Sequence, residues 1–566
     1  MKEHVHISMK IQIPTELEEK KFSTSVLRIL GARNSKRTFS INDRQELLIS
    51  IQLPSRRTRK IARIKNRVRK LIKQHGGKLF YDLNTLNSTM NGSATQEKWN
   101  VNIPRLIDKS GQQTSQPNYL WNHDCVRFPQ AIQYVSEGKN EYGSLDLSLG
   151  AFATEIKVFQ FDSGHSTHPV VFDYPRYNSI EKEQTPSVAL NDQLKRIAGK
   201  DDLESYYLLM GGFQKPGHST STAATMIGIT GLEKGDWPNT LETIFSELDA
   251  IFKTKISQGL FPYVDFTCLK ASKTVILGGK LGTKFFNNVS DAANIIAGLD
   301  HAIERQADII TISLGGGFRG KKDKVIRNKI RQAYNQGIIV VCAAGNSRFY
   351  STLFGIVKPA KYFETIAVAA LEPIMLEEEL QLIPWSKSCG GTNVDISAPG
   401  KYIYTPFEIS LDKIQDGKLK EQLENGHLYK FGGATSQATV HVSSAAALWK
   451  HVYSESLRQD EFYTQHNSHH PNALNNRVVE AFRYGLFHSK NELLNQKIKW
   501  TKRWYRNFRG LLDVEKLLDP SFAPTTDECK RSIREFESSG SSSFNQFLVG
   551  KQGVNRNSSF RRRMTK

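Results

Sequence analysis

The sequence predicts an α/β fold: a doubly wound, mainly parallel sheet with helices on both faces, preceded by a small N-terminal α+β module. Three observations lead there. From about residue 120, apolar runs alternate with helical patterns, the texture of βαβ units and a parallel sheet. The polar residues able to do chemistry fall where those runs end, at the edge where open parallel sheets gather functional groups. Ahead of all this, residues 46–83 form a self-contained strand–helix–strand pattern.

The elements follow in order. ELLISIQL (46–53) is a short apolar run with strand character. The next stretch places Ile61, Ile64, Val68, Leu71 and Ile72 at helical spacing, and Gly76-Gly77 ends it before a second strand, KLFYDL. Residues 84–120 are rich in Asn, Ser, Thr and Gln and read as a connecting segment. The strands EIKVFQFD, YVDFTCLKA, ADIITISLGG and GIIVVCAAGN then alternate with helices such as DAANIIAGLDHAIERQ and DKVIRNKIRQAYNQG. The expected division is a basic N-terminal α+β region (1–115), a main body (116–520) and a Ser-rich, basic and mobile C-terminal tail (521–566).

Composition narrows the function classes. The chain of 566 residues is 39% hydrophobic and 23% charged, a globular balance. No run approaches the ~20 apolar residues of a membrane span, and the N-terminus lacks the apolar core of ~7–15 residues of a secretory signal. The five cysteines are scattered without C-x-x-C spacing, which fits free thiols in a reducing compartment. The expected location is cytoplasmic. The net charge is +21, which favours acidic or polyanionic partners. Between Arg56 and Lys73 lie ten Lys or Arg and no acid, and the last sixteen residues add six more. The plain reading of the first cluster is the solvated face of a helix; binding of nucleic acid or an anionic surface is the sharper one.

At the strand ends stand Asp162-Ser163-Gly164, with His168-Pro169 just after, then Gly217-His218-Ser219-Thr220 opening a helical run. Ser313-Leu314-Gly315-Gly316, Ala344-Gly345-Asn346 and Asp395-Ile396-Ser397-Ala398-Pro399-Gly400 follow, and Gly433-Ala434-Thr435-Ser436 leads into a small-residue helix. Taken singly, Asp162 and Ser436 are ordinary caps, His218 a surface histidine and Asn346 a turn residue. Jointly, an acid, an imidazole and a hydroxyl at element junctions are the parts of an activated nucleophile.

These segments, in this order, resemble the subtilisin-like serine peptidases, the subtilase family, across roughly residues 120–520. F-D-S-G, G-H-S-T-S-T-A-A and A-T-S-Q-A-T-V-H-V resemble its aspartate, histidine and serine motifs; S-L-G-G, A-A-G-N and D-I-S-A-P-G resemble the segments between. Arg509–Leu518 resembles the family's closing segment. The resemblance implies a serine endopeptidase acting on protein or peptide substrates. Ser436 is then the nucleophile, His218 the base and acid, Asp162 the group that orients the imidazole, and Asn346 a donor to the oxyanion. It implies that Ser313, Leu314 and Gly315 pair with an extended substrate, and that Ala343, Ala344 and Gly345 wall the pocket before the scissile bond.

The departures are as informative. The family has Gly where this chain has Ser219 and Ala434, and Met-Ala-x-Pro-His where it has Gln437-Ala438-Thr439-Val440-His441. The added side-chain atoms put the triad's geometry in question. His441 reads as packing, and the His466, His469, His470 cluster as a polar loop with no third ligand set. Calcium is bound by many members, but no D-x-D-x-D-G loop occurs and no ligand is assigned. The resemblance also offers the N-terminal region as a prodomain, or else a regulatory module answering to a partner. Two rivals stand beside the enzyme: a catalytically silent scaffold of the same fold, and a protein that chiefly binds nucleic acid or an anionic surface.

Overall fold

In the computed structural model, the described residues are 120–140, 155–164, 218–228, 259–278, 284–290, 292–316, 321–346, 355–376, 379–406, 429–464, 474–491 and 509–541, with short pieces between and beyond them and isolated strands before residue 118. The central sheet holds nine strands: β1 (Lys157–Asp162), β2 (Arg176–Asn178), β3 (Glu183–Thr185), β4 (Asp265–Lys270), β5 (Ile309–Ile312), β6 (Ile339–Ala343), β7 (Ile366–Leu376), β8 (Glu379–Pro384) and β9 (Ile396–Pro399). Their order is 3-2-4-1-5-6-7-8, with β9 also pairing β7. Every pair from β2 to β7 is parallel, as is β7–β9; only β3 and β8 run antiparallel.

The two-residue period of a strand sends neighbours to opposite faces, and here it divides the core in two. Val158, Ile309, Ile339, Val341, Val368 and Ile396 join one cluster; Phe159, Phe161, Ile310, Ile312, Val340 and Cys342 join the other. Helices α1 (Trp121–Cys125), α2 (Phe128–Ser136), α3 (His218–Ile227), α6 (Thr435–Gln459) and α7 (Arg477–Ser489) contribute to the first cluster or pack against it. Helices α4 (Ala292–Glu304) and α5 (Lys321–Asn335) contribute to the second. This is the expected doubly wound arrangement. Helix α6 approaches the sheet closely because Ala438, Ala445, Ala446 and Ala447 are small and fully buried.

Strands of the N-terminal region form a separate antiparallel sheet in the order Thr38–Ile41, Glu46–Pro54, His4–Gln12, Lys78–Leu83. Both strands read from the sequence are present, with His4–Gln12 inserted between them. The basic helix expected at 56–73 lies outside the described residues. The strands His4–Gln12 and Glu46–Pro54 lie against α4, and Lys78–Leu83 against α5. A hairpin of Arg105–Ile107 with Gln113–Pro117 runs across the boundary expected at 115.

The tail differs from expectation. Asp527–Ser538 is a helix, α8, capped by the Thr526 hydroxyl, and Cys529, Ile533, Phe544 and Leu548 are buried in the first core. The reason is local: Cys529, Ile533 and Phe536 recur at helical spacing, so this stretch has an apolar face to bury although a serine run follows it. Residues 551–566, with their arginine run, lie outside the described residues.

Candidate active site

Asp162 ends β1, and its carboxylate is fully buried on the face of the sheet that carries α3 and α6. His218 is the first residue of α3, and Ser436 the second of α6. The parallel sheet brings these three elements to one edge. His218 Nδ1 stands 2.8 Å from both Asp162 oxygens, and Nε2 stands 3.0 Å from Ser436 Oγ. The imidazole is 11% exposed, while Ser436 is fully buried. An imidazole that donates from Nδ1 to a carboxylate presents its other nitrogen as an acceptor, and here that acceptor faces a hydroxyl.

Asn346 follows β6. Its Oδ1 accepts from the Thr435 backbone N–H at 3.1 Å and from the Thr435 hydroxyl at 2.6 Å. Two donors on the oxygen fix which end of the carboxamide is nitrogen and tie it to the turn that carries Ser436. Gln437 Nε2 donates to Ser221 Oγ at 2.8 Å, bridging α6 to α3. Thr435 and Gln437 stand in the serine motif and Ser221 in the histidine motif, but the sequence gives none of them a role, since each reads as an ordinary helix-entry residue.

The departures from the resembled family are absorbed in different ways. Ser219 is fully buried with its Oγ 3.1 Å from Cys268 Sγ on β4, so its extra atom has a polar neighbour below the imidazole. Ala434 is the residue before α6 with φ −168° and ψ −164°, extended backbone open to any side chain. Glycine is demanded one residue earlier. Gly433 has φ +117°, and a Cβ there would collide with the Gly400 carbonyl. The last glycine of D-I-S-A-P-G thus packs backbone to backbone against the turn before Ser436. Val440 sits within a continuous helix and is buried. His441 is also buried, donating from Nδ1 to Gln437 O at 2.8 Å and meeting Asn122 Nδ2 at 2.9 Å through Nε2. Burial pulls its pKa down to about 4, and burial plus the neighbouring His441 pulls His123 down to about 3.

Ser313, Leu314 and Gly315 continue from β5 and Ala343, Ala344 and Gly345 from the end of β6, so the two segments leave neighbouring parallel strands side by side. Ser313, Leu314, Ala343 and Ala344 are buried. Gly316 exchanges backbone hydrogen bonds with Lys358, and Ala344 O and Gly345 O accept from Val357 and Cys389. Gly345 has φ +113°, and a Cβ there would press on Val357. None of the five cysteines forms a disulfide. Among the described residues no group of three or more His, Cys, Asp or Glu could hold a metal ion, and no helix is long and apolar enough to cross a membrane. His168, His466, His469 and His470 lie outside the described residues.

Comparison with known proteins gives a consistent result. The model of the subtilase family matches residues 214–485. The major intracellular serine protease of Bacillus subtilis is 30% identical over 189 residues, covering 32% of this chain and 48% of that protein. Subtilisin E of the same organism is 32% identical over 154 residues, 27% of this chain and 33% of its own length. The minor extracellular protease Epr, again from B. subtilis, is 29% identical over 164 residues, 29% of this chain and 21% of its own length. The matched stretches thus span a fifth to about half of these relatives. Fervidolysin from Fervidobacterium pennivorans, a keratinolytic enzyme related to subtilisin, shares the fold at a TM-score of 0.50 and 15% identity, over 93% of this chain and 62% of its own. The stretch 214–485 belongs to the subtilase family, and the fold that carries it is subtilisin-like.

Proposed function

We propose that this chain is a serine endopeptidase that cleaves peptide bonds through Ser436, His218 and Asp162. The observation that carries the reading is the unbroken run of contacts from a buried carboxylate through an imidazole to a hydroxyl. Ser436 Oγ attacks the peptide carbonyl while His218 Nε2 takes its proton. The resulting imidazolium is balanced by Asp162, then gives the proton to the departing amine. Water enters by the same base and releases the acyl group from Ser436. Charge on the tetrahedral oxygen is met by the Asn346 amide and by N–H groups at the start of α6. Ser313–Gly315 and Ala343–Gly345 bound the groove for an extended peptide.

The reading extends to location and control. Five thiols without a disulfide suit a cytoplasmic enzyme, which needs restraint against indiscriminate cleavage. The N-terminal sheet, set against α4 and α5, is the candidate restraint, as a prodomain or a partner-operated module. Labelling with a fluorophosphonate probe tests the whole. The expected result is labelling of the wild type that disappears in Ser436→Ala and His218→Ala and increases when residues 1–115 are removed. Absence of labelling in every form, with circular dichroism reporting a folded chain, sinks the reading in favour of a silent scaffold.

A further inference from the structure

Beneath the contact between Asp162 and His218 lies a second row of polar groups. Gln160 stands two residues before Asp162 on β1, hence on the same face of the sheet, and is 1% exposed. Thr222 lies one turn along α3 from His218 and is fully buried. Gln160 Nε2 is 2.5 Å from Thr222 Oγ1, 3.3 Å from Ser219 O and 3.4 Å from Asp162 Oδ2. Thr222 Oγ1 is in turn 3.2 Å from Asp162 Oδ2, 2.8 Å from His218 O and 3.0 Å from Ser219 O.

The chemistry of the neighbours fixes the direction of these bonds. A carboxylate and two carbonyls only accept. The nitrogen end of Gln160 must therefore face them, since its oxygen there would meet a carboxylate and a carbonyl. With Gln160 donating into the threonine oxygen, the single hydroxyl hydrogen of Thr222 is left for the acceptors, of which the carboxylate is the charged one. The other end of Gln160 supports this. Its Oε1 is buried and has no hydrogen-bond partner, a cost that an apolar side chain of the same size avoids. What the position supplies is the donor.

We propose that Gln160 and Thr222 are positioning residues, a two-link donor chain from amide to hydroxyl to carboxylate that fixes the rotation of Asp162 and through it His218. The inference rests on the peptidase reading above. Asp162 Oδ1 is already held by the Ser163 N–H at 2.6 Å. A carboxylate anchored on that oxygen alone turns easily, because the terminal torsion has a broad minimum. Thr222 holds the second oxygen and keeps both at equal distance from Nδ1.

The test uses the full chain with Thr222→Val, which removes the hydroxyl at constant shape, Thr222→Ser, which restores it, and Gln160→Leu. Two readouts are taken: the saturating rate and half-saturating concentration of fluorophosphonate labelling, and the downfield Nδ1 proton resonance of His218 in chain carrying ¹⁵N-histidine, assigned by its loss in His218→Gln. Thr222→Val slows the saturating rate about tenfold with the half-saturating concentration unchanged, and displaces the resonance. Thr222→Ser stays within about threefold of wild type in rate and keeps the resonance in place. Equal losses in the Val and Ser forms, or a Val form with wild-type rate and resonance, overturn the proposal. If the wild type itself does not label, the peptidase reading fails, while the resonance still decides whether Thr222 positions His218. If Gln160→Leu does not fold, the threonine pair carries the test.

Discussion

The two edges of the central sheet each bury a carboxylate, and they use it differently. At the carboxyl edge Asp162 faces His218, a partner that can gain and lose a proton and whose far nitrogen reaches Ser436. At the amino edge Asp395, just before β9, faces Arg483 at 3.1 Å and accepts from the Ala367 N–H at 2.8 Å. Arg483 also pairs with Glu480, which accepts from Tyr334 Oη at 2.6 Å. Burial pushes the Asp395 carboxyl up while the Arg483 guanidinium pulls it down. A guanidinium cannot act as a base, so this network ties α7 to the sheet and has no chemistry to offer. Helix α6 joins the two edges: Ser436 lies at one end and Lys450, paired with Asp308 at 3.1 Å, lies about 21 Å along its axis. On the proposed reading, reactivity belongs to the edge whose carboxylate faces an imidazole, and anchorage to the edge whose carboxylate faces a guanidinium.

The sharpest way to break this contrast is to remove one group from each edge. Ser436→Ala is expected to lower peptide hydrolysis by about 10⁶-fold, since triad members act as a unit, with a melting temperature within about 2 °C of wild type. Fluorogenic peptide assays and calorimetry on the same preparation check both halves. Arg483→Met acts the other way. It leaves Asp395 and Glu480 buried beside each other without their cation, and is expected to cost about 3–5 kcal/mol in urea unfolding. The fraction that stays folded in the cold should still label with fluorophosphonate. Labelling that falls further than the folded fraction does would mean that the edges are coupled, not separate.

Much of this contrast could be read from the chain itself. The alternating apolar runs marked the strands, and six ordered motifs put an acid, an imidazole, an amide and a hydroxyl at strand ends. What escaped depends on contacts between distant positions. Gln160 and Thr222 are 62 residues apart and meet only because β1 and α3 pack against each other. Ser219 looked like a steric problem because Cys268, its neighbour on β4, is 49 residues away in the chain. The glycine requirement appeared displaced because Gly433 answers to Gly400, not to its own side of the motif. Helix α8 escapes a reading by composition because only three apolar residues at helical spacing stand ahead of a serine run.

A smaller effect sharpens the account of the carboxyl edge. On the proposed peptidase reading, Asn346→Ala removes a side-chain donor while leaving Ser436 and His218 in contact, and is expected to reduce turnover by about 10²–10³-fold with little change in KM. A KM effect of similar size would instead assign Asn346 to substrate binding. Because Thr435 donates twice to Asn346, Thr435→Val should reproduce part of that loss. An unchanged turnover there would mean the amide holds its place without Thr435.

The smallest expected effect concerns pH and lies behind the site, where α1 meets α6. His441 and His123 are neutral when buried, with pKa values pulled down to about 4 and about 3; in the unfolded chain a histidine titrates near 6.5. As pH falls below about 6.5 the unfolded chain takes up protons that the folded chain refuses, so stability is lost on acidification, not gained. The loss runs down to about pH 4 for His441 and about pH 3 for His123, at roughly 1.4 kcal/mol per pH unit for each. Urea unfolding at pH 7.0 and 5.5 reads this slope. His441→Gln removes one titrating group, so its stability should fall by about 1 kcal/mol less between those values than the wild type's. The variant also loses the bond to Asn122, but that offset is the same at both pH values and leaves the slope untouched. Equal slopes in the two proteins would show that His441 takes up its proton as readily in the fold as in the unfolded chain, so that burial between α1 and α6 does not hold it neutral.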